Sequence, residues 1–498
     1  MKSNKQFILS IDQGTSGTKA LVFDQQGKVV AKATVPLKTH YLDGGMVEQD
    51  PEDIYQNVLE AVGICLADFQ FKDHALDEIK TCGISNQRET FLLWDQKGKP
   101  LYNAVVWQCK RSIAVCDRLK EANLEPLISE KTGLIIDPYF SGTKLIWLYE
   151  NEPAIQSAMD AGEAYFGTVD TWLLFRLTNG NSYLTDYTNA SRTLFFNLDT
   201  LDWDGELLEK MGLSGLQLPE VKPSSTAFGE SDFDGLLDRA LPIFSMIGDS
   251  HAAAFGEACF DPGTAKATLG TGCSVLMNVG EKRKTSGHGM VSTICWSTED
   301  QVNYALEGVI VTCGATIEWL KNELGLIQDS RETEVMARAV SSNQGVYLVP
   351  AFSGLGAPHW DMKRKASLLG MTFDTGKNHI VRAALESIPY QIKDVIGAME
   401  EDSQLNLEVL NVDGGISANG FVIGFLADLL EKPVSRVGIA DVSALGAAYL
   451  AGLKAGIFQD LSHLQQLQQK HQTISNGQRD SIKVAYAGWQ KAVSGISG

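Results

Sequence analysis

Four short apolar strands of this sequence run into loops made of aspartate, glycine, serine and threonine. The loops begin at Asp12, Gly248, Gly270 and Asp413. Glycine lets a backbone approach a phosphate closely, backbone N–H groups and hydroxyls bind its oxygens, and carboxylates hold Mg²⁺. Each loop alone is typical of an ordinary turn. Because all of them stand at strand ends, they favour a site for a phosphorylated nucleotide and Mg²⁺.

The single-loop nucleotide motifs do not occur in the sequence. No G-x-x-x-x-G-K-[ST] is present, since Gly14 and Lys19 have the wrong spacing for it, and no G-x-G-x-x-G is present. Several separate loops must therefore share the binding of the phosphates.

A candidate acceptor site follows the apolar strand at residues 80–84, where Arg88 and Glu89 are neighbours. An arginine beside a carboxylate presents both donors and acceptors, which suits the adjacent hydroxyls of a polyol. Alone, such a pair is more often a surface ion pair.

The elements that carry these loops form an α/β pattern. Strands are predicted at residues 7–11, 20–24 and 28–34, and a related strand and loop recur after residue 407. Apolar residues repeat at spacings of three and four over residues 379–400, which predicts a helix. A chain of 498 residues exceeds one hydrophobic core. We therefore expect two related α/β halves that donate loops to one cleft, with a boundary near residues 247–252.

The charge and the cysteines exclude several classes of function. A net charge of −19 opposes binding to nucleic acid or anionic lipid, because both require a basic surface. No run of about 18 apolar residues is present, so we expect no membrane insertion. The eight cysteines include no C-x-x-C pair, and several lie in apolar runs. These features predict a reduced, cytoplasmic protein.

Ten stretches of the sequence resemble the FGGY carbohydrate kinases, and among them the members that phosphorylate glycerol. The resemblance covers about residues 6–490. The matching stretches are DQGT at 12–15, NQRET at 86–90, VWQC at 106–109, DPYFSGTK at 137–144, DYTNASRT at 186–193, GD at 248–249, GTGC at 270–273, NYALEG at 303–308, GLGAP at 354–358 and DGG at 413–415.

The resemblance implies a fold and an activity. The fold is the two-domain α/β actin/hexokinase-like ATPase fold, related to ribonuclease H, with an interdomain cleft. Residues 1–249 would form the N-terminal domain, with the polyol site and the first phosphate loop, and residues 250–498 the C-terminal domain. The activity is ATP- and Mg²⁺-dependent phosphorylation of a small polyol, with glycerol as the first expectation. We also expect a homo-oligomer, either a dimer or a tetramer.

The resemblance also implies roles for individual residues. Asp249 is the expected base that takes the proton of the acceptor hydroxyl, and Asp12 is expected to face Mg²⁺, directly or through water. The other expected ATP-binding residues are Thr15, Ser16, Lys19, Thr271, Gly314, Glu318, Gly415 and Asn419. The expected acceptor-binding residues are Arg88, Glu89, Trp107, Tyr139, Asp249 and Ser250.

The acceptor pattern departs from the resemblance at two places. Glycerol-phosphorylating members usually have two glutamines after the aspartate, where this chain has Ser250 and His251. They usually place a phenylalanine where this chain has Ser274. Both changes predict a roomier and more polar pocket, so another polyol or a ketose is the alternative acceptor. An actin-like ATPase or binding protein without small-molecule turnover is the alternative of another class, but it has no use for Arg88 and Trp107.

Overall fold

The computed structural model describes residues 5–436, 441–468 and 479–495. The chain divides into two compact units that are each built from separate segments. The first unit comprises Met1–Ala258, Thr293–Tyr304 and Ala440–Gln468, and the second comprises Cys259–Ser292, Ala305–Ile439 and Gln469–Gly498. The expected domain limits at 1–249 and 250–498 stay a prediction.

The strands are short, and most have three to eight residues. They are β1 (Phe7–Gln13), β2 (Gly17–Phe23), β3 (Val29–Pro36), β4 (His40–Tyr41), β5 (Val47–Gln49), β6 (Ile79–Asn86), β7 (Phe91–Trp94), β8 (Ala104–Val105), β9 (Ala164–Thr168), β10 (Leu184–Asp186), β11 (Phe196–Asn197), β12 (Asp202–Trp203), β13 (Leu216–Gln217), β14 (Glu220–Lys222), β15 (Ser225–Ser231), β16 (Leu241–Gly248), β17 (Thr264–Leu269), β18 (Cys273–Gly280), β19 (Val291–Ser297), β20 (Val302–Ile310), β21 (Tyr347–Val349), β22 (Ser367–Leu369), β23 (Val409–Asp413) and β24 (Val434–Arg436).

Sixteen α-helices are described between and after these strands. They are α1 (Pro51–Phe71), α2 (Ile113–Glu121), α3 (Glu125–Thr132), α4 (Ser141–Asn151), α5 (Pro153–Asp160), α6 (Val169–Leu177), α7 (Tyr187–Ala190), α8 (Gly205–Lys210), α9 (Asp249–Gly256), α10 (Ala315–Asn322), α11 (Glu332–Arg338), α12 (Lys377–Ser403), α13 (Gly420–Leu430), α14 (Val442–Lys454), α15 (Leu461–Leu467) and α16 (Arg479–Ser494), with short 3₁₀ helices at Asp43–Gly45, Leu76–Glu78 and Gly415–Ala418.

The central sheet of the first unit has the strand order β15-β16-β6-β1-β2-β3. β1 is parallel to β6 and antiparallel to β2, and β6 is parallel to β16. α1 packs on β2 and β3, while α14 packs on β1, β6 and β16. Every residue of β1 is buried, and its first residues are mainly apolar, as expected for a strand that is covered on both faces.

The second unit repeats the same local arrangement. β17 is antiparallel to β18 and parallel to β23, and β23 is parallel to β24. β17 and β23 thus correspond in pairing to β1 and β6 of the first unit. The expectation of two related α/β halves is confirmed at the level of strand pairing.

The elements predicted from the sequence are present with small changes in their ends. β1, β2 and β3 stand where three strands were predicted, and α12 contains the predicted helix at 379–400. The apolar stripe of α12 is buried from Ala384 to Met399, as core packing requires. Within the described part of the chain, no helix combines the length and the apolar character needed to cross a membrane.

Candidate active site

Asp249 and Arg88 meet at the carboxyl ends of two neighbouring parallel strands. β6 ends at Asn86 and β16 ends at Gly248, and these two residues lie opposite each other in the sheet. The side chains that follow are therefore close: Arg88 Nε is 3.4 Å from Asp249 Oδ1. Gly248 permits this contact, because a Cβ there would lie 2.7 Å from Arg88 Cγ.

The surroundings of Asp249 favour a proton acceptor that works near neutral pH. Burial raises the pKa of Asp249 to about 6, and the positive charge of Arg88 works against that rise. Solvent still reaches 40% of the side chain, which also moderates the shift. A carboxylate with a raised pKa holds a proton more strongly than an ordinary aspartate does.

A second group of charges joins the end of β1 to the start of α14. Asp12 and Lys19 are cross-strand partners in β1 and β2, with Lys19 Nζ 3.6 Å from Asp12 Oδ2. Lys19 Nζ is also 3.1 Å from Asp441 Oδ1, and Lys32 Nζ is 2.6 Å from Asp441 Oδ2. The hydroxyl of Ser85 donates to Asp12 Oδ1 at 3.0 Å.

Burial and lysine charges act in opposite directions on these two carboxylates. Burial raises the pKa of Asp12, and the nearby Lys19 opposes this rise only in part. Burial would also raise the pKa of Asp441, but hydrogen bonds and charge from Lys32 and Lys19 hold it below its usual value. Asp12 and Asp441 thus share Lys19 as a partner, so a metal ion that binds Asp12 could replace this lysine there.

A hydrogen bond links the first phosphate loop to the aromatic residues expected at the acceptor. Trp107 Nε1 donates to Thr15 Oγ1 at 2.9 Å, and the rings of Trp107 and Tyr139 pack edge to face at 5.6 Å. The buried ammonium of Lys144 donates to the carbonyls of Pro138 at 3.0 Å and of Tyr139 at 2.6 Å. Ser16, next to Thr15, is exposed.

Glu89, one of the expected acceptor-binding residues, forms a buried ion pair with Arg192. Arg192 Nε donates to Glu89 Oε1 at 2.5 Å, and both side chains are only 1% exposed. The backbone of Glu89 has φ of +59°, and its carbonyl accepts from Ser141 Oγ at 2.8 Å. A non-glycine residue in this conformation is uncommon and needs such outside support.

The residues that depart from the expected pattern have polar surroundings. Ser250 N–H donates to Asp249 Oδ1 at 2.6 Å, while Ser250 Oγ is buried and has no hydrogen-bond partner among the residues described. His251 is buried, with Nε2 3.5 Å from Thr293 Oγ1. In the second unit, Ser274 Oγ donates to Glu307 Oε1 at 3.0 Å.

The second unit contains a cavity of about 460 Å³ that unites all the nucleotide-binding residues expected there. Thr271, Gly314 and Glu318 line it, and Glu318 belongs to α10. The other lining residues are Leu269, Gly270, Ala315, Ile317, Ser330, Arg331, Glu334, Gly415, Ile416, Ala418 and Asn419.

Loops at the ends of β17 and β23 shape this cavity. Gly414 has φ of +85°, and a Cβ there would lie 2.5 Å from Leu269 O, so only glycine fits without a backbone shift. Gly314 N–H donates to Gly270 O at 2.9 Å, which fixes the start of α10. Asn419 accepts from the first N–H groups of α13 and donates to Thr333 Oγ1 at 3.1 Å.

Several residues of these sites were missed by sequence reasoning. Asp441, Arg192 and Lys144 reach their partners across long stretches of chain or from within helices. DYTNASRT and DPYFSGTK stand out as motifs in the sequence, but the sequence alone assigns no role to their basic residues.

Among the described residues, no group of three or more His, Cys, Asp or Glu could hold a metal. A single carboxylate such as Asp12 still fits Mg²⁺, which commonly takes one carboxylate with phosphate oxygens and water.

Comparisons with known proteins place the chain among kinases. The model of the FGGY family of carbohydrate kinases, N-terminal domain, matches residues 7–256, and that of the C-terminal domain matches residues 265–455. Glycerol kinase of Desulfitobacterium hafniense is 46% identical over 99% of both chains, and that of Carboxydothermus hydrogenoformans is 45% identical over 98% of both. The crystal structure of Plasmodium falciparum glycerol kinase with ADP matches with a TM-score of 0.93, at 36% identity over 99% of both chains. The chain therefore belongs to the FGGY family of carbohydrate kinases.

Proposed function

We propose that this chain transfers the γ-phosphoryl group of ATP to a terminal hydroxyl of glycerol, giving sn-glycerol 3-phosphate and ADP. The observation that carries this proposal is the pairing of Asp249 with Arg88 at the ends of two parallel strands. Relatives named glycerol kinase, 43–46% identical over nearly the whole chain, support glycerol as the acceptor.

Asp249 acts as the base in this proposal. The O–H bond of the acceptor breaks, its proton passes to a carboxylate oxygen of Asp249, and the acceptor oxygen bonds to the γ-phosphorus. The bond from the γ-phosphorus to the oxygen bridging it to the β-phosphorus breaks, and ADP leaves with that electron pair. The raised pKa of Asp249 suits this task, because it makes the carboxylate a stronger base.

Arg88 and its neighbours position the acceptor. The guanidinium of Arg88 contacts Asp249 and can donate to a second hydroxyl of the polyol, while Glu89 can accept from one. Trp107 and Tyr139 present ring surface to the carbon chain. Correct alignment of a hydroxyl with a phosphorus lowers the activation free energy, by about 7–11 kcal/mol in favourable intramolecular systems.

The first loop binds the phosphates in this proposal. Thr15 and Ser16 offer hydroxyls and backbone N–H groups, and Lys19 offers a positive charge to the β- and γ-phosphates. Mg²⁺ held by Asp12, directly or through water, would neutralise charge on the phosphate oxygens when bound. Lys19 would then exchange its present carboxylate partners, Asp12 and Asp441, for phosphate oxygens.

The cavity of the second unit receives the adenosine in this proposal. Gly415, Asn419, Thr271, Gly314 and Glu318 all line this cavity. In this proposal Gly415 and Asn419 flank the adenosine, and Thr271, Gly314 and Glu318 contact the ribose and the phosphates. The cavity volume of about 460 Å³ lies in the ordinary range for small-molecule sites.

A second acceptor class has a specific observation in its favour. The buried hydroxyl of Ser250 has no hydrogen-bond partner among the described residues and lies beside Asp249. A buried polar atom without a partner carries a cost, which a further hydroxyl of a longer polyol or a ketose would remove. This alternative keeps the same chemistry and changes only the acceptor.

The acceptor is tested by measuring ADP release with glycerol, with four- and five-carbon polyols, and with ketoses such as xylulose. We expect the highest kcat/KM with glycerol. A much higher value for a longer acceptor would replace glycerol, and ATP hydrolysis that no acceptor accelerates would overturn the kinase assignment. Ser250→Gln is a matched variant, since filling this space should lower kcat/KM for longer acceptors more than for glycerol.

We further propose that the protein works in the cytoplasm as a dimer or tetramer and needs neither nucleic acid nor a membrane. The eight free and buried cysteines support this location, and the net charge of −19 opposes binding to nucleic acid or anionic lipid. Mass measurement by light scattering tests the assembly, and a monomer at working concentration would contradict it.

A further inference from the structure

Asp186, in the DYTNASRT stretch, is a fully buried carboxylate that accepts hydrogen bonds only from uncharged donors within the described part of the chain. It ends β10 and caps the N-terminus of α7. Its two oxygens accept from the N–H and hydroxyl of Thr188, the N–H and side-chain amide of Asn189, and the hydroxyl of Ser224, at 2.7–3.0 Å. Burial raises its pKa, while these donors favour the charged form.

Thr188 connects Asp186 to the residue before Asp249. Thr188 Oγ1 donates to Asp186 and accepts from the backbone N–H of Gly248 at 2.9 Å. This N–H lies at the end of β16, directly before the first residue of α9. The hydroxyl of Thr188 thus joins a fixed buried charge to the backbone that carries Asp249.

Asn189 connects Asp186 to β6, which ends two residues before Arg88. Asn189 and Asn86 exchange two side-chain hydrogen bonds, at 2.9 Å and 3.0 Å, while Asn189 also donates to Asp186 at 2.8 Å. Asn86 ends β6 and donates to the carbonyl of Gln87 at 2.9 Å, next to Arg88. A reciprocal amide pair of this kind fixes distance and orientation, because all four groups are buried and have defined partners.

We propose that Asp186, Thr188 and Asn189 form a positioning cluster for phosphoryl transfer, in which Thr188 places Asp249 and the Asn189–Asn86 pair places Arg88. This inference rests on the proposed function of Asp249 and Arg88. None of the three residues touches a reacting atom. Their effect follows from geometry, because a displacement of about 1 Å at a reacting group can reduce the rate about 10²-fold.

Core stability alone does not account for the cluster. A buried carboxylate whose hydrogen bonds, among the described residues, come only from uncharged donors is costly, and apolar residues of similar shape are often equally stable. The cluster instead connects two strand ends that β6 and β16 already pair through their backbones. The side-chain hydrogen bonds of the cluster lie at the last backbone pair of these strands, Gly248 and Asn86. Asp249 follows Gly248 directly, and Arg88 lies two residues after Asn86.

Thr188→Val tests the connection to Asp249, because valine keeps the shape of threonine and loses the hydrogen bonds to Asp186 and from the Gly248 N–H. The matched control is Thr185→Val, since Thr185 is equally buried and donates to Asp170 without a bond to either strand end. We expect Thr188→Val to lower kcat about tenfold to a hundredfold with little change in KM for ATP. Thr188→Ser should restore most of kcat, and Thr185→Val should keep kcat while lowering the melting temperature similarly.

Asn86→Leu tests the connection to Arg88, because it removes the hydrogen bonds between Asn86 and Asn189. It also keeps the proposal testable if Thr188→Val does not fold. Because it releases Arg88 rather than Asp249, we expect a rise in the acceptor KM about tenfold, with a smaller change in kcat. Equal kcat in the folded Thr188→Val and Thr185→Val variants, or an Asn86→Leu variant with unchanged acceptor KM, would overturn the positioning cluster.

The two proposals fail in different ways. If the parent enzyme phosphorylates glycerol or another polyol and the Thr188 and Asn86 variants match it, only the positioning cluster is wrong. If the parent shows no acceptor-dependent ADP release, the proposed function is wrong whatever the variants do.

Discussion

At the scale of single residues, the side chain of Asp249 is partly open to solvent, and burial still raises its pKa. Asp249→Asn keeps the shape and removes the proton acceptor. We expect kcat to fall by roughly 10²–10⁴. ATP binding should change little, because the expected nucleotide-binding residues lie elsewhere in the chain. Rapid-mixing measurement of one turnover and a separate ATP titration check this, and near-parental turnover would remove Asp249 from the mechanism.

The same residue predicts how activity depends on pH. The base must be deprotonated, and burial raises the pKa of Asp249 to about 6 from an ordinary value near 4. Activity should therefore fall as pH drops through about 6, and the acid limb should be absent from the residual activity of Asp249→Asn. An acid limb centred near pH 4 in the parent enzyme would contradict this assignment.

The raised pKa of Asp249 also predicts how the stability of the protein changes with pH. Between about pH 4 and pH 6 the unfolded chain has lost the proton that the folded protein still holds, so stability from this group decreases as pH rises. Asp249→Asn removes this effect and should raise the melting temperature at pH 8 more than at pH 4. A variant less stable than the parent at pH 8 would indicate that Asp249 stabilises the fold.

Gly248 matters because of the side chain beside it. A Cβ at this position would lie 2.7 Å from Arg88 Cγ and 2.9 Å from Arg88 Cδ. Gly248→Ala should therefore displace the guanidinium and raise the acceptor KM at least tenfold, since a lost charge-assisted hydrogen bond costs about 1.5–3 kcal/mol. Gly205→Ala is the control, because a Cβ there meets nothing within 4 Å. Equal acceptor KM values in the two variants would contradict the prediction.

At the scale of elements, periodicity and strand-end loops predicted β1, β2, β3 and α12, because those patterns are local. The pairing of Asp249 with Arg88 also follows once their strands are parallel neighbours. The contribution of α14 could not be predicted, because it depends on contacts far apart in sequence: Ser10 Oγ donates to Ala444 O at 2.7 Å. The same holds for Asp441, which reaches Lys19 only because α14 packs on the first sheet.

Helix α12 offers an element-scale prediction. Gly397 lies inside this 27-residue helix, and a Cβ there would meet nothing within 4 Å. Gly397→Ala should stabilise the protein by about 0.4–1 kcal/mol, because alanine restricts the unfolded chain and favours helix. Gly414→Ala is the contrast, since its φ of +85° and the contact with Leu269 forbid a side chain. Denaturant unfolding measures both, and a destabilised Gly397→Ala would contradict the packing of α12.

At the scale of the whole molecule, the first unit depends on a segment from near the end of the chain. α14 lies on β1, β6 and β16, and Ser245 Oγ donates to Ala447 O at 2.7 Å. Leu445, Tyr449 and Leu450 of α14 are buried. Burial of three such side chains contributes about 5–9 kcal/mol, at 1.5–3 kcal/mol each. A whole domain is stable by only about 5–15 kcal/mol.

We therefore expect fragments ending near the domain limits to be unstable alone. A fragment of residues 1–249, or of 1–258, should show no cooperative thermal transition, because its sheet lacks the cover that α14 provides. Adding a peptide of residues 440–468 should slow hydrogen exchange of the β1 amides, whereas the same peptide with Ala447→Asp should not, because Ala447 is fully buried. Cooperative unfolding of the 1–249 fragment alone would show that it folds independently, and α14 would then be an addition to a complete domain rather than part of its core.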